Sequence, residues 1–230
     1  MRLLLLNPNT TQAITARMAR AARRVLLPGE TLHELTATQG PAVVRSATQL
    51  AEAEAQALAL ARQHGLAYDV IVLAISLDGA APALREACPD AVVVGMTEAA
   101  LEWACAVAAP AGLLTVGSAM LPLYQRRVAE CGCADAVVAF AAPDIAAAFD
   151  VDVSTVQPAV LAALAAAAEG LRAQGARSVV LAGAVLCGYA PALQASIGLP
   201  VFDGIECAVR VARERRRQRA TITRGSGGVA

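Results

Sequence analysis

The chain has no lysine among its 230 residues. Without lysine, a Schiff base to pyridoxal phosphate or to a carbonyl substrate cannot form, and a phosphate-binding Walker A loop is excluded. Only two histidines occur, His33 and His64, and neither lies beside an acidic pair at the spacing of metal ligands, so a histidine-built metal site is not expected. Any acid–base chemistry must therefore come from cysteine, carboxyl, tyrosine or hydroxyl groups.

Charge imbalance and long apolar runs are also missing. The basic and acidic residues number 19 each, so the zero formal net charge gives no general attraction to nucleic acid or to anionic membranes. Hydrophobic residues make up 57% of the chain, but no run reaches the roughly 20 residues of a transmembrane helix. The leucine run at the start is too short for a secretory signal. We therefore expect a cytoplasmic protein that binds a small molecule, without nucleic acid or membrane partners.

The cysteines do not form a metal-binding pattern. Most of the six cysteines lie in apolar segments, and reduced thiols are expected for a cytosolic chain. The cysteines are Cys88, Cys105, Cys131, Cys133, Cys187 and Cys207. Cys131 and Cys133 flank Gly132, but two ligands alone do not make a metal site. The sequence therefore predicts no metal and no organic cofactor.

Short apolar runs alternate with stretches rich in Ala, Leu, Glu and Arg that have helical periodicity. This alternation predicts parallel strands covered by helices on both faces. The predicted strands are Leu3–Leu6, Thr31–Thr36, Val70–Ile75, Ala91–Val94, Leu113–Val116, Ala136–Phe140, Ser178–Ala182 and Leu199–Phe202. The clearest predicted helices are Ser46–His64, Met120–Cys131 and Gln157–Gln174.

The order of these elements repeats along the chain. The strand that ends at Asn7 corresponds to the one that ends at Gly117-Ser118, and residues 69–76 correspond to residues 177–185. The sequence therefore predicts an α/β fold of two pseudo-symmetric, four-stranded, mostly parallel lobes with a cleft between them. The predicted boundaries are 1–98 for the first lobe (completed by a C-terminal helix at 205–219), 99–204 for the second lobe, and 220–230 for a flexible tail.

A cluster of short polar side chains, Asn7-Pro8-Asn9-Thr10-Thr11, lies between the first strand and a helix. Backbone N–H groups and the helix dipole at such a place suit a carboxylate, an enolate or a phosphate. Ligands of open parallel sheets bind at the carboxyl ends of the strands. We therefore predict that Asn7, Asn9 and Thr10 contact the substrate, the alternative being that Asn9 or Thr10 only caps the helix.

Other strand ends supply further candidates. The predicted substrate-binding residues there are Thr97, Glu98, Gly117, Ser118, Gly188 and Tyr189. Ser118 could instead cap the following helix, and Glu98 could act only as an acidic group at a helix N-terminus. Tyr189 could donate a proton or pack over a ring.

Together these segments resemble the aspartate/glutamate/hydantoin racemase superfamily, most closely its hydantoin and allantoin racemase branch, over nearly the whole chain. The residues that carry the resemblance are Asn7-Pro8-Asn9-Thr10-Thr11, Gly40-Pro41, Gly95-Met96-Thr97-Glu98-Ala99, Leu113-Leu114-Thr115-Val116-Gly117 and Pro200-Val201-Phe202-Asp203-Gly204. The resemblance implies a cofactor-free homo-oligomer that uses two cysteines, one from each lobe, on opposite faces of an acidic carbon. A carbon acid beside a carbonyl, as in a hydantoin ring, would be the substrate, and backbone N–H groups would hold its enolate.

The chain departs from the pattern that this resemblance implies. The first-lobe cysteine would be expected at Ile75, and the neighbouring groups able to move a proton are Ser76 and Asp78. In the second lobe, an alignment on Gly188 places Cys187 one residue after the expected cysteine. We predict Cys187, Ser76 and Asp78 as catalytic residues, the alternative for Cys187 being a small buried hydrophobe.

The leading functional hypothesis is a racemase-like enzyme that works through an enolate-like intermediate with Cys187 as its acid–base residue. One alternative is a decarboxylase of the same superfamily, which keeps a single cysteine to protonate the enolate left by carbon dioxide. A hydantoin-ring lyase or hydrolase (desulfurase-like) with a nucleophilic Cys187 is another. A ligand-binding descendant without catalysis is the alternative from a different class.

Overall fold

The computed structural model describes residues 1–150 and 156–226, with the side chains of the last helix described as far as Thr221. Two four-stranded parallel sheets form the frame of the described residues. The first sheet has the order β2-β1-β3-β4, and the second has the order β6-β5-β7-β8. The strands are β1 (Arg2–Asn7), β2 (Thr31–Thr36), β3 (Val70–Leu73), β4 (Val92–Gly95), β5 (Ala111–Leu114), β6 (Val137–Ala141), β7 (Ser178–Leu181) and β8 (Val201–Asp203).

Helices cover both sheets. They are α1 (Gln12–Arg23), α2 (Ala47–His64), α3 (Ala81–Ala87), α4 (Met96–Val107), α5 (Leu121–Glu130), α6 (Pro158–Ala173), α7 (Ala190–Ile197) and α8 (Gly204–Ser226). Short 3-10 turns occupy Gly65–Ala67, Ser118–Met120, Ala146–Phe149 and Ala184–Leu186. No helix in the described part of the chain combines the length and the apolar character needed to cross a membrane.

The leucine run of β1 shows why this sequence forms a sheet that is buried on both faces. Leu3 and Leu5 belong to a core cluster that continues into the second lobe, whereas Leu4 and Leu6 belong to a separate cluster on the opposite face. Successive strand residues point to opposite faces, so a continuous apolar run fits a strand with helices on both sides. The predicted α/β fold of two pseudo-symmetric parallel lobes is confirmed.

The C-terminal helix packs against the first lobe, where it contacts α1, α4, β3 and β4. It continues to Ser226, past position 220, where the flexible tail was predicted to begin. No proline or glycine ends the helix between Gly204 and Gly225, and the predicted domain and tail boundaries stay a prediction. Residues 227–230 lie outside the described residues.

Gly112 in the central strand β5 tests how tightly α6 packs on the second sheet. A Cβ atom at this position would lie 2.9 Å from the Cβ and Cδ1 atoms of Leu171, which is too close for two carbon atoms. We expect Gly112→Ala to lower the free energy of unfolding by about 1–3 kcal/mol, measured by urea denaturation. Gly170→Ala is the control, because Gly170 is exposed in α6 with nothing within 4 Å of its Cβ position, and it should be neutral or stabilising. Equal losses in both variants would contradict this packing argument.

Candidate active site

A cavity of about 210 Å³ lies between the lobes at the carboxyl ends of β1, β3, β5 and β7. This volume is below the roughly 300–1,000 Å³ of drug-sized sites, so the cavity suits a small metabolite. Its wall is mostly apolar, and it consists of Asn9, Ile14, Val43, Val44, Arg45, Ile75, Ser76, Leu77, Thr115, Val116, Gly117, Ala119, Met120, Tyr124, Phe149, Gly183, Ala184 and Val185.

The two lobes contribute matching positions to this wall. Leu6 pairs with Leu73 in the first sheet, and Leu114 pairs with Leu181 in the second. The correspondence between the lobes continues for one more residue. The N–H of Ala74 donates to the carbonyl of Leu6, and the N–H of Ala182 donates to the carbonyl of Leu114, both at 2.9 Å. Counting forward along the chain from these paired residues gives four pairs of corresponding positions on the cavity wall. They are Asn9 with Gly117, Ile75 with Gly183, Ser76 with Ala184, and Leu77 with Val185.

This strand register decides which second-lobe position corresponds to Ile75. The counterpart of Ile75 is Gly183, and both residues line the cavity. Neither carries a side chain that can move a proton. The alignment on Gly188 puts the expected second-lobe cysteine one residue before Cys187. That position differs from Gly183, so the alignment does not agree with the register of the sheets.

Cys187 lies in the core and is 2% exposed. The 3-10 turn Ala184–Leu186 separates it from Gly183, and Cys187 is not among the residues of the cavity wall. Burial, together with the nearby Asp203 carboxylate, raises the pKa of its thiol well above the ordinary value, although Arg17 and the N–H of Ile205 oppose this shift. Its role as an acid–base residue stays a prediction.

Tyr124 on α5 is a cavity residue that the sequence analysis missed. It is 4% exposed, and burial raises the pKa of its phenol. The hydroxyls of Ser76 and Thr115 lie close enough to oppose that shift by favouring the ionised form. Among the described residues, no partner with normal hydrogen-bond geometry satisfies the buried Ser76 Oγ. Tyr124 does not lie in a recognisable sequence motif. The sequence feature that could have indicated it is its position on the helix that follows the Gly117-Ser118 strand end.

The polar loop after β1 is held together by its own side chains. Asn7 is fully buried, and its Nδ2 donates to Asn9 Oδ1 at 2.9 Å and to Thr15 Oγ1 at 2.8 Å. Asn9 Oδ1 also accepts the N–H of Thr11 at 3.3 Å, which leaves the Asn9 Nδ2 group as the donor available to a ligand. Asn9 lines the cavity, whereas Asn7 and Thr10 lie outside its wall.

Asp78 is completely buried behind the cavity wall. Its carboxylate accepts the backbone N–H of Thr97 at 3.2 Å and of Glu98 at 2.6 Å, and it lies 3.5 Å from the Arg127 guanidinium. Burial raises the pKa of Asp78 to about 7, although Arg127 and the two N–H groups lower it. A Cβ at Gly95 would overlap the carboxyl group at 2.3 Å, so glycine is required there.

Thr97 and Glu98 make structural contacts and do not line the cavity. Thr97 Oγ1 accepts the N–H of Leu77 at 3.1 Å, which helps to fix the turn that carries Ser76. Glu98 forms ion pairs with Arg85, Arg127 and Arg215. Burial raises its pKa, but Arg85, Arg215 and the N–H of Gly95 outweigh burial, so the pKa of Glu98 is lowered.

The remaining predicted substrate-binding residues also include some that line the cavity and some that lie outside its wall. Gly117 lines the cavity at φ 79°, a left-handed conformation that favours glycine, while Ser118 lies outside the wall and its side chain caps no helix. The N–H of Gly188 donates to Asp203 at 2.6 Å, and the Tyr189 hydroxyl accepts the N–H of Gln157 at 3.3 Å. The cavity therefore brings together Asn9, Ser76 and Gly117 from the predicted residues and leaves the others outside its wall.

The sequence profile of the Asp/Glu/Hydantoin racemase family matches residues 3–212. The chain belongs to this family. Hydantoin racemase from Paenarthrobacter aurescens is 30% identical to this racemase-family chain over 216 residues, which covers 92% of the chain and 89% of the relative. The predicted resemblance to the hydantoin and allantoin racemase branch is thereby confirmed.

Two solved structures share the fold of this racemase-family chain. Allantoin racemase from Pseudomonas fluorescens has a TM-score of 0.86 and 25% identity, with 95% of this chain and 92% of that chain covered. Allantoin racemase from Klebsiella pneumoniae has a TM-score of 0.85 and 24% identity, with 93% and 86% covered. These relatives are isomerases, which agrees with the predicted class of enzyme.

The described residues contain no group of three or more His, Cys, Asp or Glu side chains placed to hold a metal ion. The polar groups that face the cavity are amides, hydroxyls, a phenol and one guanidinium. Such groups donate hydrogen bonds to carbonyl or enolate oxygens. The site therefore presents hydrogen-bond donors to an oxygen atom of a bound ligand.

The protonation of Asp78 should make the stability of the protein depend on pH. Because the folded pKa of about 7 lies above the ordinary value of 3.8, the folded state holds a proton that the unfolded chain has lost between these values. Stability contributed by this group is therefore lost as pH rises from about 4 to 7. We expect Asp78→Asn to remove this decrease, which amounts to up to about 4 kcal/mol, in urea titrations at each pH. The exposed Asp90→Asn is the control, and identical pH profiles for wild type and Asp78→Asn would refute the assignment.

Proposed function

We propose that this protein is a cofactor-independent, racemase-like enzyme that acts on a small carbon acid through an enolate-like intermediate. The substrate class is a hydantoin-type ring or a small carboxylate. One observation carries the proposal: the inter-lobe cavity holds a buried phenol, Tyr124, beside the hydroxyls of Ser76 and Thr115 on a mostly apolar floor. A pocket of this kind binds an oxyanion through hydrogen bonds and excludes water.

The donors on the floor would hold the oxygen on which negative charge develops. The Asn9 amide, the Ser76 hydroxyl and the Thr115 hydroxyl all line the cavity. Their apolar neighbours keep the local dielectric low, which strengthens each hydrogen bond to a developing enolate. The Ser76 Oγ supports this role, because a buried hydroxyl that lacks a partner of normal hydrogen-bond geometry among the described residues gains most from a ligand oxygen.

Tyr124 would supply the proton. Because burial raises its pKa, the phenol stays protonated at neutral pH and acts as an acid or a hydrogen-bond donor. Its ionised form, which could remove a proton from carbon, is accessible only at alkaline pH. Proton removal by Tyr124 should therefore become faster with rising pH through the neutral range.

Proton transfer in this cavity is expected on one face of the substrate. Classical racemisation needs a second carrier on the opposite face, but the matched positions Ile75 and Gly183 provide none. Cys187 remains a candidate second carrier, and it could reach the substrate only past the Ala184–Leu186 turn. We therefore expect exchange of the acidic hydrogen with slow loss of optical activity.

Decarboxylation is a second candidate, and the apolar floor favours it. Ile75, Leu77 and Val116 are buried and line the cavity, so a carboxylate placed against them would lose its hydration. Loss of carbon dioxide relieves that desolvation and leaves an enolate that needs one proton and no base. Tyr124 would deliver that proton.

Proton–deuterium exchange tests these roles. The protein would be incubated in heavy water with 5-substituted hydantoins and small 2-substituted acids, with NMR following the acidic C–H and chiral chromatography following the stereocentre. We expect Tyr124→Phe to lower the exchange rate by about 100-fold or more, because it removes the hydroxyl and keeps the ring. Tyr68→Phe, outside the cavity wall, is the matched control and should exchange like wild type.

The other outcomes of the exchange experiment are also informative. If Tyr124→Phe exchanges normally and Cys187→Ala does not, the proton carrier is Cys187 and the assignment to Tyr124 is wrong. Release of carbon dioxide from 2-substituted malonates, without exchange of the hydantoins, would favour the decarboxylase. Calorimetric binding of a hydantoin without any turnover would favour a non-catalytic, ligand-binding protein.

A thiol at the missing first-lobe position should change the stereochemical outcome. Ile75→Cys would place a thiol on the cavity wall, on the first-lobe side of the substrate. We expect optical activity to be lost at least about tenfold faster than in wild type, measured by polarimetry on the substrates that exchange. Ile75→Ser is the control for the altered volume, and equal rates in both variants would show that the thiol adds no proton path. Both variants should lose about 1–3 kcal/mol of stability, since Ile75 is 3% exposed.

A further inference from the structure

The cavity has a floor and a rim that differ in chemistry. Asn9, Thr115 and Tyr124 on the floor are each less than 5% exposed. Arg45 and Ala119 are exposed and Phe149 is half-buried, so these residues form the rim. Among the described residues of the wall, Arg45 is the one charged side chain.

Among the described residues, an aromatic ring and not a carboxylate contacts the Arg45 guanidinium at the rim. Its Cζ atom lies 4.1 Å from the centroid of the Phe149 ring. Arg45 precedes α2 in the first lobe, whereas Phe149 ends the 3-10 turn Ala146–Phe149 of the second lobe, so their contact crosses the cavity mouth. Within the part of the chain that the structure describes, no carboxylate oxygen lies within 4 Å of the Arg45 guanidinium.

Nine other arginines have such a partner. Salt bridges to Asp or Glu are formed by Arg23, Arg24, Arg85, Arg126, Arg127, Arg172, Arg213, Arg215 and Arg216. A guanidinium that stacks on a ring uses its face and keeps the N–H donors along its edge for a planar anion. Arg45 therefore presents an edge of donors at the mouth, together with a positive charge that no carboxylate of the described residues pairs with.

We propose that Arg45 is a specificity-determining residue that selects substrates carrying a carboxylate, which it binds at the mouth while the reacting carbon lies on the floor. This deepens the proposed function, on which it rests, by naming the substrate class: an anionic carbon acid such as a hydantoin whose 5-substituent ends in a carboxylate. The carboxylate accepts paired N–H groups from the guanidinium, and Phe149 holds the guanidinium in place. The sequence analysis missed this residue because Arg45 lies outside every motif that carries the family resemblance.

A pair of ligands of equal size tests this selectivity: 5-(2-carboxyethyl)hydantoin and its carboxamide. Calorimetry at low ionic strength should show that wild type binds the carboxylate on the order of tenfold more tightly than the carboxamide. Arg45→Gln should bring the two dissociation constants together, Arg45→Lys should keep part of the difference, and Phe149→Leu should reduce it. Arg62→Gln on α2, outside the cavity wall, is the matched control and should bind both ligands like wild type.

The result is independent of turnover, so this inference and the proposed function fail separately. A carboxylate preference that disappears in Arg45→Gln supports the role of Arg45 even if no variant exchanges a proton. A wild type without the preference, or an Arg45→Gln variant that keeps it, overturns the role. In the exchange assay, Arg45→Gln should raise KM for the carboxylate ligand and leave kcat nearly unchanged, since the contact is made before and during the reaction.

Discussion

The buried carboxylate of Asp78 is the contact on which the geometry of the cavity depends. It binds the first backbone N–H groups of α4 and faces Arg127 on α5, so one side chain joins the β3 turn to two helices. These contacts hold Leu77 and Asp78 at φ 75° and 53°, a conformation that is unfavourable for residues with a Cβ. Because Ser76 immediately precedes this strained turn, its position on the cavity wall follows from the partners of Asp78.

The frame is symmetric, but the chemistry of the cavity is not. At the matched wall positions the first lobe supplies Asn9 and Ser76, whereas the second supplies Gly117 and Ala184. Tyr124 adds a polar group on the side of the second lobe, and its hydroxyl lies next to Ser76 of the first lobe. The hydrogen-bond donors therefore converge on one region of the floor, which explains why a substrate would be handled from one face.

The fold was predictable from sequence because its signals are local: buried strands are short apolar runs, and polar loops mark their carboxyl ends. The eight strands match the predicted ones with ends shifted by a residue or two. Tyr124, Arg45 and Phe149 could not be found in this way, because only tertiary packing brings a helix, a loop and a 3-10 turn to one cavity. The displacement of Cys187 behind the wall has a similar cause, since the Ala184–Leu186 turn has no clear sequence signal.

Burial has the same effect on the Tyr124 phenol and the Cys187 thiol. The pKa of Tyr124 and the pKa of Cys187 are raised, so both groups hold their protons at neutral pH. A floor with donors and without a ready base stabilises negative charge on a substrate better than it creates that charge. The substrate should therefore be one whose carbanion forms easily, either because its C–H is flanked by ring carbonyls or because carbon dioxide leaves. Stabilisation of an enolate depends on hydrogen-bond donors and not on thiols, so the proposed chemistry does not require a cysteine at either matched position.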